Sequence, residues 1–218
     1  YLRAFMDNGA KVGSRESEEC KIDLISQSFS ILSDVIEKDR IDSVIRSVEE
    51  NLVDEDLKII KLLTPGFENS KNNPGYIMDY PTGIRENGGQ YTHSVSWYIM
   101  ALIKLGANDL AYKYYQMINP VNRALTKDAA DHYKTEPYVI AADIYSAKGR
   151  EGRGGWTWYT GSAGWFYRVG VEEILGLHKQ GDSLKITPKL PVSWDKYEVV
   201  YRYMDTDYHI KVTKDNDE

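Results

Sequence analysis

Polar side chains crowd around a pair of glycines in the segment TGIRENGGQYTH. Arg85, Glu86, Gln90 and His93 surround Gly88–Gly89, just before a stretch with helical spacing. Glycine lets the backbone approach a ligand closely, and a dense set of donors and acceptors is what recognition of a polyhydroxylated ring requires. An isolated histidine is more often structural, but its place at the end of this run favours a functional role for His93. The segment therefore predicts a sugar-binding loop.

A second candidate site lies in the segment GRGGWTWYTGSAGW, where small residues from Thr160 onward begin an apolar helix. Small side chains leave the first-turn N–H groups of a helix accessible, and such a terminus attracts an anion. Gly161 and its neighbours are equally compatible with tight helix packing alone, and the residues do not decide between the two. The preceding Trp156 and Trp158 suit either sugar platforms or core packing.

The composition favours a small or neutral partner. The chain of 218 residues has 27 Lys and Arg against 33 Asp and Glu, and its net charge of -6 disfavours nucleic acid. Its 17 Tyr and 5 Trp outnumber its 4 Phe, so most aromatic side chains have a polar edge. Such rings can stack on the face of a sugar while the polar edge hydrogen-bonds a hydroxyl. The single Cys20 excludes an internal disulfide and is interpreted as an inert packing residue.

No sequence signal points to a membrane. No apolar run approaches the roughly 20 residues that span a bilayer. The N-terminal YLRAFMDNG also lacks the basic and then apolar layout of a signal peptide. We therefore expect no membrane segment and a cytoplasmic location.

Apolar residues spaced three and four apart predict helices that would position these segments. One pair of helices is predicted over 22–35 and 41–52. A second hairpin is predicted over 95–105 and 110–118, with Gly106 as the C-cap between its helices.

Two further helices are predicted closer to the C-terminus. Pro137 at a first helical position indicates a helix over 136–146, and a helix over 160–177 is apolar almost all round, which predicts burial. The segment 64–93 has neither helical nor strand periodicity. A loop this long in a compact domain is usually functional or disordered, and its tyrosines and paired charges argue against disorder.

The tail changes to a strand pattern. Alternating residues predict three short strands, over 184–188, 197–203 and 208–212. Helical hairpins whose loops at one end carry the polar and aromatic residues fit part of an α/α barrel. We therefore expect a mainly α fold, with the barrel over 1–181 and a C-terminal β segment over 182–218.

Five blocks of the sequence carry a more specific resemblance. They are YLRAFMDNGAKVGS, EECKIDLISQSFSILS, YPTGIRENGGQYTH, EPYVIAADIYS and GRGGWTWYTGSAGWFYRVGVEEILGL. In this order they resemble the C-terminal half of the catalytic module of glycoside hydrolase family 94, the cellobiose and chitobiose phosphorylase family. The likeness is closest to the branch of the cyclic β-1,2-glucan synthases and the β-1,2-oligoglucan phosphorylases. It covers nearly the whole chain, including the tail KITPKLPVSWDKYEVVYRY.

The resemblance implies a fold and a reaction. The fold is the C-terminal part of an (α/α)6 barrel followed by a short β-strand segment. The reaction is that of an inverting glycoside phosphorylase, which cleaves a β-glucoside with inorganic phosphate and releases an α-glycosyl 1-phosphate. Phosphate is the nucleophile and co-substrate, and no cofactor or metal is implied. One carboxylic acid protonates the leaving oxygen, whereas anionic phosphate needs positioning.

The resemblance also assigns site residues and partners. The phosphate-binding positions of the family match His93, Thr160 and Gly161. A sugar-contacting carboxylate of the family matches Glu86, and weaker candidates for the same cleft are Arg85, Gln90 and Glu136. The implied partners are a β-linked glucan or disaccharide and inorganic phosphate, and a homodimer of the complete protein is left open.

The chain departs from the family pattern in its catalytic acid. The family's general acid is an Asp in an Asp-Trp-Asn-Asp-like motif upstream of the YLRAF block, and the sequence contains no such motif. The upstream phosphate-binding arginine and the N-terminal β-sandwich are also not found. Asn8 follows Asp7 where a second Asp is expected. We therefore expect a fragment with part of the phosphate and sugar sites, no catalytic residue and no activity alone.

Two other functions remain open at the level of sequence. One is an α/α-barrel glycoside hydrolase, in which water replaces phosphate and a second carboxylate acts as base. The other is a non-catalytic glucan-binding fragment. The sequence does not select the donor sugar or the linkage, although the branch likeness favours β-1,2-glucans.

Overall fold

The computed structural model describes residues 1–71 and 73–214, and most of their regular structure is helical. The α-helices are α1 Leu24–Leu32, α2 Ile41–Asn51, α3 Thr92–Lys104, α4 Asn108–Ile118, α5 Lys127–Tyr133 and α6 Thr160–Arg168. A π-helical stretch, Val169–Ile174, continues α6 directly. Short 3-10 turns occupy Lys38–Arg40, Tyr76–Asp79 and Pro120–Arg123.

The strands form antiparallel pairs and are mostly very short. The paired segments are β1 Ala4–Phe5 with β2 Lys11–Val12, β3 Ile22–Asp23 with β6 Leu63–Thr64, β4 Val53–Asp54 with β5 Ile59–Ile60, β7 Gln90–Tyr91 with β8 Asp143–Ile144, β9 Leu177–Gln180 with β10 Ser183–Ile186, and β11 Lys196–Tyr203 with β12 Thr206–Thr213. The pairs β3–β6 and β7–β8 lie at the beginnings of α1 and α3, so they fix where these helices start.

Helix α3 lies between α1 and α6, and α3 and α6 run in the same direction. The ring of Phe29 meets that of Trp97 at 5.3 Å, and Trp97 meets Trp165 at 5.8 Å. One turn nearer the N-terminus on both α3 and α6, His93 lies against Gly161. Equal steps along both helices require a parallel arrangement. The beginnings of α3 and α6 therefore meet at one end of the molecule.

Helix α4 returns antiparallel to α3 after a tight turn. The predicted C-cap is confirmed, because Gly106 has φ +80° and Ala107 donates its N–H to the carbonyl of Leu102 at 2.9 Å, as in a Schellman motif. Tyr98 and Tyr114 pair between the two helices at 6.0 Å, and both are fully buried. In a barrel made of two helical layers, the helices of one layer are parallel and are joined by helices that run in the opposite direction. The arrangement of α3, α4 and α6 fits this pattern, and the closed barrel stays a prediction.

The core lies between these helices. The largest fully buried side chains of the described residues, in this core and in smaller clusters beside it, are Tyr98, Tyr114, Leu24, Ile31, Leu52, Ile59, Ile60, Leu62, Leu63, Ile99, Leu102 and Ile144. Cys20 is also fully buried, in a smaller cluster with Leu63 and Phe67, and burial raises the pKa of its thiol to about 12. The interpretation of Cys20 as a packing residue is confirmed.

The long loop predicted over 64–93 is held by one asparagine. Among its described residues, regular structure is confined to the end of β6, the 3-10 turn, β7 and the start of α3. Buried Asn87 accepts a hydrogen bond from the N–H of Phe67 at 2.6 Å and donates to the carbonyls of Phe67 and Tyr80 at 2.8 and 2.7 Å. A single side chain near the end of the loop thus satisfies backbone groups near its start and in its middle.

The prediction of a helix over 136–146 is wrong. This segment is extended, and its only regular element is β8. Ala142 donates its N–H to the carbonyl of Trp156 at 2.6 Å and accepts from the N–H of Thr92 at 2.9 Å. Tertiary pairing thus satisfies the backbone without helical bonds. A helix precedes this segment instead: α5 ends at Tyr133, and its C-cap residue Lys134 has φ +57°.

The helices over 22–35 and 160–177 have different bounds from those predicted. The first begins at Leu24 because Ile22–Asp23 pairs with Leu63–Thr64. The second ends at Ile174, and the burial predicted for it is confirmed only in part: Val169 and Ile174 are in the main core, whereas within α6 itself only Ser162 is buried. Here Tyr115 stacks on Phe166 at 4.2 Å.

The tail contains two hairpins instead of three strands. The first turns at Gly181, so the strand structure begins at Leu177, before the predicted change of pattern. The predicted strands over 197–203 and 208–212 are confirmed as parts of β11 and β12. Residues 215–218 of the predicted C-terminal segment lie outside the described residues, and the division into 1–181 and 182–218 stays a prediction.

Among the described residues, no helix has both the length and the apolar character needed to cross a membrane.

Candidate functional site

The beginnings of α3 and α6 form the centre of the candidate site. Their N-cap residues are Tyr91 and Tyr159, and neither supplies a side-chain hydrogen bond to the first turn. Thr160, the first residue of α6, is exposed. Each helix places roughly half a positive charge at its N-terminus, and the two parallel helices direct these charges to the same region. The arrangement therefore favours an anion.

His93 is held in one position from three sides. Its ring stacks on that of Tyr91 at 6.0 Å, with 21° between the planes, and lies 5.7 Å from the ring of Trp97. Its third neighbour is Gly161, where an added Cβ would lie 2.5 Å from Cε1 and 2.8 Å from Nε2 of His93. Only glycine at this position leaves room for the imidazole. The structure thus places His93 beside Gly161, which directly follows Thr160, and the role of the three residues in phosphate binding stays a prediction.

Burial lowers the pKa of His93 from its ordinary value. The imidazole is therefore neutral near pH 7 in the unliganded chain, and it offers one N–H donor and one acceptor nitrogen. An anion bound beside it would favour the charged form and oppose the effect of burial.

Glu86 and Arg85 form a second, polar corner with unused hydrogen-bonding capacity. Oε2 of Glu86 lies 3.6 Å from Nε of Arg85, and their side chains are 12% and 11% exposed. Among the described residues, neither of these two atoms has a hydrogen-bond partner. The hydroxyl of Tyr76 donates to the other carboxylate oxygen of Glu86 at 3.4 Å. Buried polar atoms without partners require an explanation, and a ligand hydroxyl reaches these two only when the side chains of Glu86 and Arg85 shift.

The guanidinium of Arg85 lies between aromatic rings. It stacks over Trp156 at 3.8 Å and faces Tyr80 at 5.1 Å. The backbone of Arg85 has φ +51°, in the left-handed region that non-glycine residues seldom adopt. Because two aromatic rings contact its planar group, its N–H groups point along defined directions.

Buried Asp143 joins the two loops of the site, and the sequence did not predict it. It accepts the backbone N–H of Arg85 at 3.3 Å and that of Trp156 at 2.9 Å. Gly155 permits this contact, because a Cβ there would collide with the carboxylate. Desolvation raises the pKa of Asp143, while Arg85 and the backbone donors act in the opposite direction. Asp143 lies in the block EPYVIAADIYS, for which the sequence predicts a helix, and a helix gives this side chain no role between two loops.

Gln90 lies outside the cleft, which corrects the expectation that it lines it. The side chain is fully buried. Its Oε1 accepts the N–H of Ile60 at 3.1 Å, and its Nε2 donates to Oγ1 of Thr92 at 3.4 Å. Both ends of the amide are therefore engaged in the chain, and Gln90 has no surface to offer a ligand.

Glu136 lies on the rim of the site beside exposed aromatic residues. Its Oε1 accepts the indole N–H of Trp158 at 3.1 Å. Trp156 and Trp158 are 47% and 67% exposed, so core packing, one of the two alternatives for them, is excluded. The described residues contain no group of three or more His, Cys, Asp or Glu side chains that could hold a metal ion.

Comparison with known proteins agrees with the resemblance. Residues 1–176 match the family model of the glycosyl hydrolase 94 superfamily, catalytic domain. The chain is 47% identical over 216 residues to the cyclic beta-(1,2)-glucan synthase NdvB of Rhizobium meliloti (strain 1021), covering 99% of this chain and 8% of the synthase.

Phosphorylases are also among the similar proteins. The chain is 30% identical over 217 residues to the N,N'-diacetylchitobiose phosphorylase of Vibrio furnissii, covering 99% of this chain and 26% of that enzyme. It is 30% identical over 128 residues to the 1,2-beta-oligoglucan phosphorylase of Listeria innocua serovar 6a, covering 52% of this chain and 12% of that enzyme. The chain therefore spans about a quarter or less of the length of these relatives.

Proposed function

Since the chain belongs to the glycosyl hydrolase 94 superfamily, we propose that it supplies the phosphate site and part of the sugar site of an inverting glycoside phosphorylase. The observation that carries the proposal is the position of His93 against Gly161, where α3 and α6 begin together. An enzyme that uses phosphate as its nucleophile needs an anion site next to its sugar site.

In this proposal, phosphate binds where α3 and α6 begin. Backbone N–H groups of the first turn of α6 and the hydroxyl of Thr160 donate to its oxygens, while His93 donates from the side. Gly161 allows the close approach of His93 and leaves its own N–H uncovered. The site orients the anion for attack on the anomeric carbon, from the face opposite to the leaving group, so the configuration inverts.

The sugar bound at this carbon contacts the corner formed by Glu86 and Arg85. Oε2 of Glu86 accepts a sugar hydroxyl, and the stacked guanidinium of Arg85 donates to another. Asp143 keeps both loops at the correct separation through its two backbone hydrogen bonds. The remaining requirement is a carboxylic acid that protonates the leaving oxygen, and we assign it to an Asp outside these 218 residues.

Two assays test this proposal. The complete protein that carries this chain should release α-glycosyl 1-phosphate from a β-linked glucan or disaccharide only when inorganic phosphate is present. Release of glucose without phosphate would support the hydrolase alternative. The 218-residue chain alone should show no turnover, because protonation of the leaving group contributes about 10²- to 10⁴-fold in rate. Turnover by the pure chain would place the acid within it.

The identity of 47% to a cyclic beta-(1,2)-glucan synthase favours a second candidate, in which the site acts as the phosphate-using module of a glucan synthase. The substrate in this second case is a β-1,2-linked glucan. The two candidates differ in the complete protein, which in the second case also makes cyclic glucan. Product analysis by mass spectrometry separates linear from cyclic glucans.

A further inference from the structure

An exposed aromatic pair stands next to the proposed sugar site. Tyr138 and Trp158 are 73% and 67% exposed, and their rings meet edge to face at 6.3 Å. Single exposed rings are common on protein surfaces, but adjacent rings that form a patch rimmed by polar residues mark a binding site. The pair is therefore a candidate for contact with a ligand.

Trp158 is fixed in place despite its exposure. Its backbone has φ +63°, in the left-handed region that bulky residues rarely adopt, and its indole N–H donates to Oε1 of Glu136 at 3.1 Å. Strained backbone of this kind persists where the surroundings determine it, and it is concentrated at ligand sites. The hydrogen bond to Glu136 uses the edge of the indole and leaves a ring face open.

A depression of about 580 Å³ lies beside this pair, within the size range of ligand sites. Its lining includes charged and hydroxyl groups that can donate or accept, namely Lys134, Glu136, Tyr145, Arg153 and Thr157. This mixture of polar groups with aromatic faces suits a sugar ring, which has apolar faces and hydroxyl edges.

Trp156 connects the depression to the proposed sugar site. It lines the depression, and its ring also stacks against the guanidinium of Arg85 at 3.8 Å. The same loop continues into Tyr159 and the beginning of α6. A chain bound beside Arg85 and Glu86 can therefore continue past Trp156 without leaving the surface of the protein.

We propose that Tyr138, Trp158 and Glu136 form a further subsite, which binds a glucosyl unit beyond the two that flank the cleaved bond. This inference rests on the proposed function and adds that the substrate is a β-linked glucan longer than a disaccharide. A distal aromatic platform increases affinity for long chains only, because a disaccharide does not reach it.

The test compares two substrates in the complete protein. The measured quantity is the ratio of kcat/KM for a β-1,2-linked glucose pentasaccharide to kcat/KM for the β-1,2-linked disaccharide, with saturating inorganic phosphate. The ratio should exceed one, and Trp158→Ala should lower it by about tenfold, as expected for loss of one aromatic contact. Tyr138→Ala should lower it in the same direction without altering the strained residue. Tyr167→Ala is the matched control, because Tyr167 is also 67% exposed but lies in the last turn of α6.

An unchanged ratio in both Trp158→Ala and Tyr138→Ala overturns the subsite, as does a wild-type ratio of one. An equal fall with both substrates also overturns it, because it indicates a general disturbance of the loop. If the wild-type protein phosphorolyses neither substrate, the proposed function fails separately. Calorimetric titration with the two oligosaccharides then decides the subsite alone: weaker binding of the pentasaccharide to Trp158→Ala supports it, and equal binding overturns it.

Discussion

The imidazole of His93 lies so close to Gly161 that a methyl group on the glycine would stand 2.5 Å from Cε1 of the histidine. In the complete protein, Gly161→Ala should therefore displace His93 and raise the apparent KM for phosphate by about 10- to 100-fold, as misplacement of a binding group does. The better helix propensity of alanine, about 1 kcal/mol, offsets part of the cost of this contact, so we expect Gly161→Ala to fold with a displaced His93.

Gly164→Ala provides a control in the same helix. A Cβ at Gly164 would meet no atom within 4 Å, so this variant gains helix stability without crowding. Thermal unfolding should show Gly164→Ala at least as stable as the wild type and Gly161→Ala cooperatively folded, and steady-state kinetics should show a raised KM for phosphate in Gly161→Ala alone. An equal KM in the two variants would contradict a phosphate site at His93.

The lowered pKa of His93 gives the protein a defined response to pH. The unfolded chain takes up this proton near pH ~6.5, while the folded chain does so only at lower pH. The stability contributed by neutral His93 is therefore complete above this value and is lost as pH falls toward the folded-state pKa. Chemical unfolding from pH 5 to 8 should show a shallower acid-side loss of stability in His93→Gln than in the wild type.

Phosphate should reverse part of this response. An anion beside His93 stabilises the imidazolium, so saturating phosphate should raise its pKa, which NMR titration of the imidazole measures directly. Chloride at equal ionic strength is the control. A pKa that is unaffected by phosphate would mean that the anion binds elsewhere.

Glu86→Gln should separate sugar use from phosphate use. The carboxylate is 12% exposed and has one oxygen without a hydrogen-bond partner among the described residues, so we expect it to accept a sugar hydroxyl. Replacing it with a neutral amide removes a charge-assisted hydrogen bond while keeping the shape. Initial rates should show kcat/KM for the sugar falling about tenfold or more, with a smaller change for phosphate. Weaker phosphate use with unchanged sugar kinetics would make the assignment wrong.

The local sequence pattern predicted the helices of this site better than the long-range contacts between them. The helical period indicated α3 and α4, and Gly106 marked the turn between them, because these features depend on neighbours in sequence. The small residues after Thr160 likewise predicted an accessible helix beginning. The buried position of Gln90 depends on the backbone of Ile60, thirty residues away, and no local pattern shows such a bond.

The same limit explains the error over 136–146. Good helix formers and Pro137 favour a helix locally, but the N–H of Ala142 bonds to Trp156 and its carbonyl to Thr92, which are distant partners. Asp143 was missed as a result, since a helical residue would not be expected to bind two loops. The juxtaposition of His93 with Thr160 and Gly161 came from the family resemblance together with the helix-terminus argument, and spacing in sequence alone does not bring them together.

Asp143 provides the last prediction, because it binds the backbone of Arg85 and of Trp156 through different carboxylate oxygens. Asp143→Ala leaves both N–H groups without their acceptor in a buried place, which costs about 1–3 kcal/mol for each group that water does not reach. It should therefore lower the stability of the complete protein and release the loop that carries Arg85, so that sugar kinetics worsen as well. Asp143→Asn keeps one acceptor oxygen but brings an NH₂ group toward the other backbone donor, so an intermediate loss is expected. Chemical unfolding together with kcat/KM for the sugar measures both effects. If Asp143→Ala matches the wild type in both, Asp143 does not hold the two loops together.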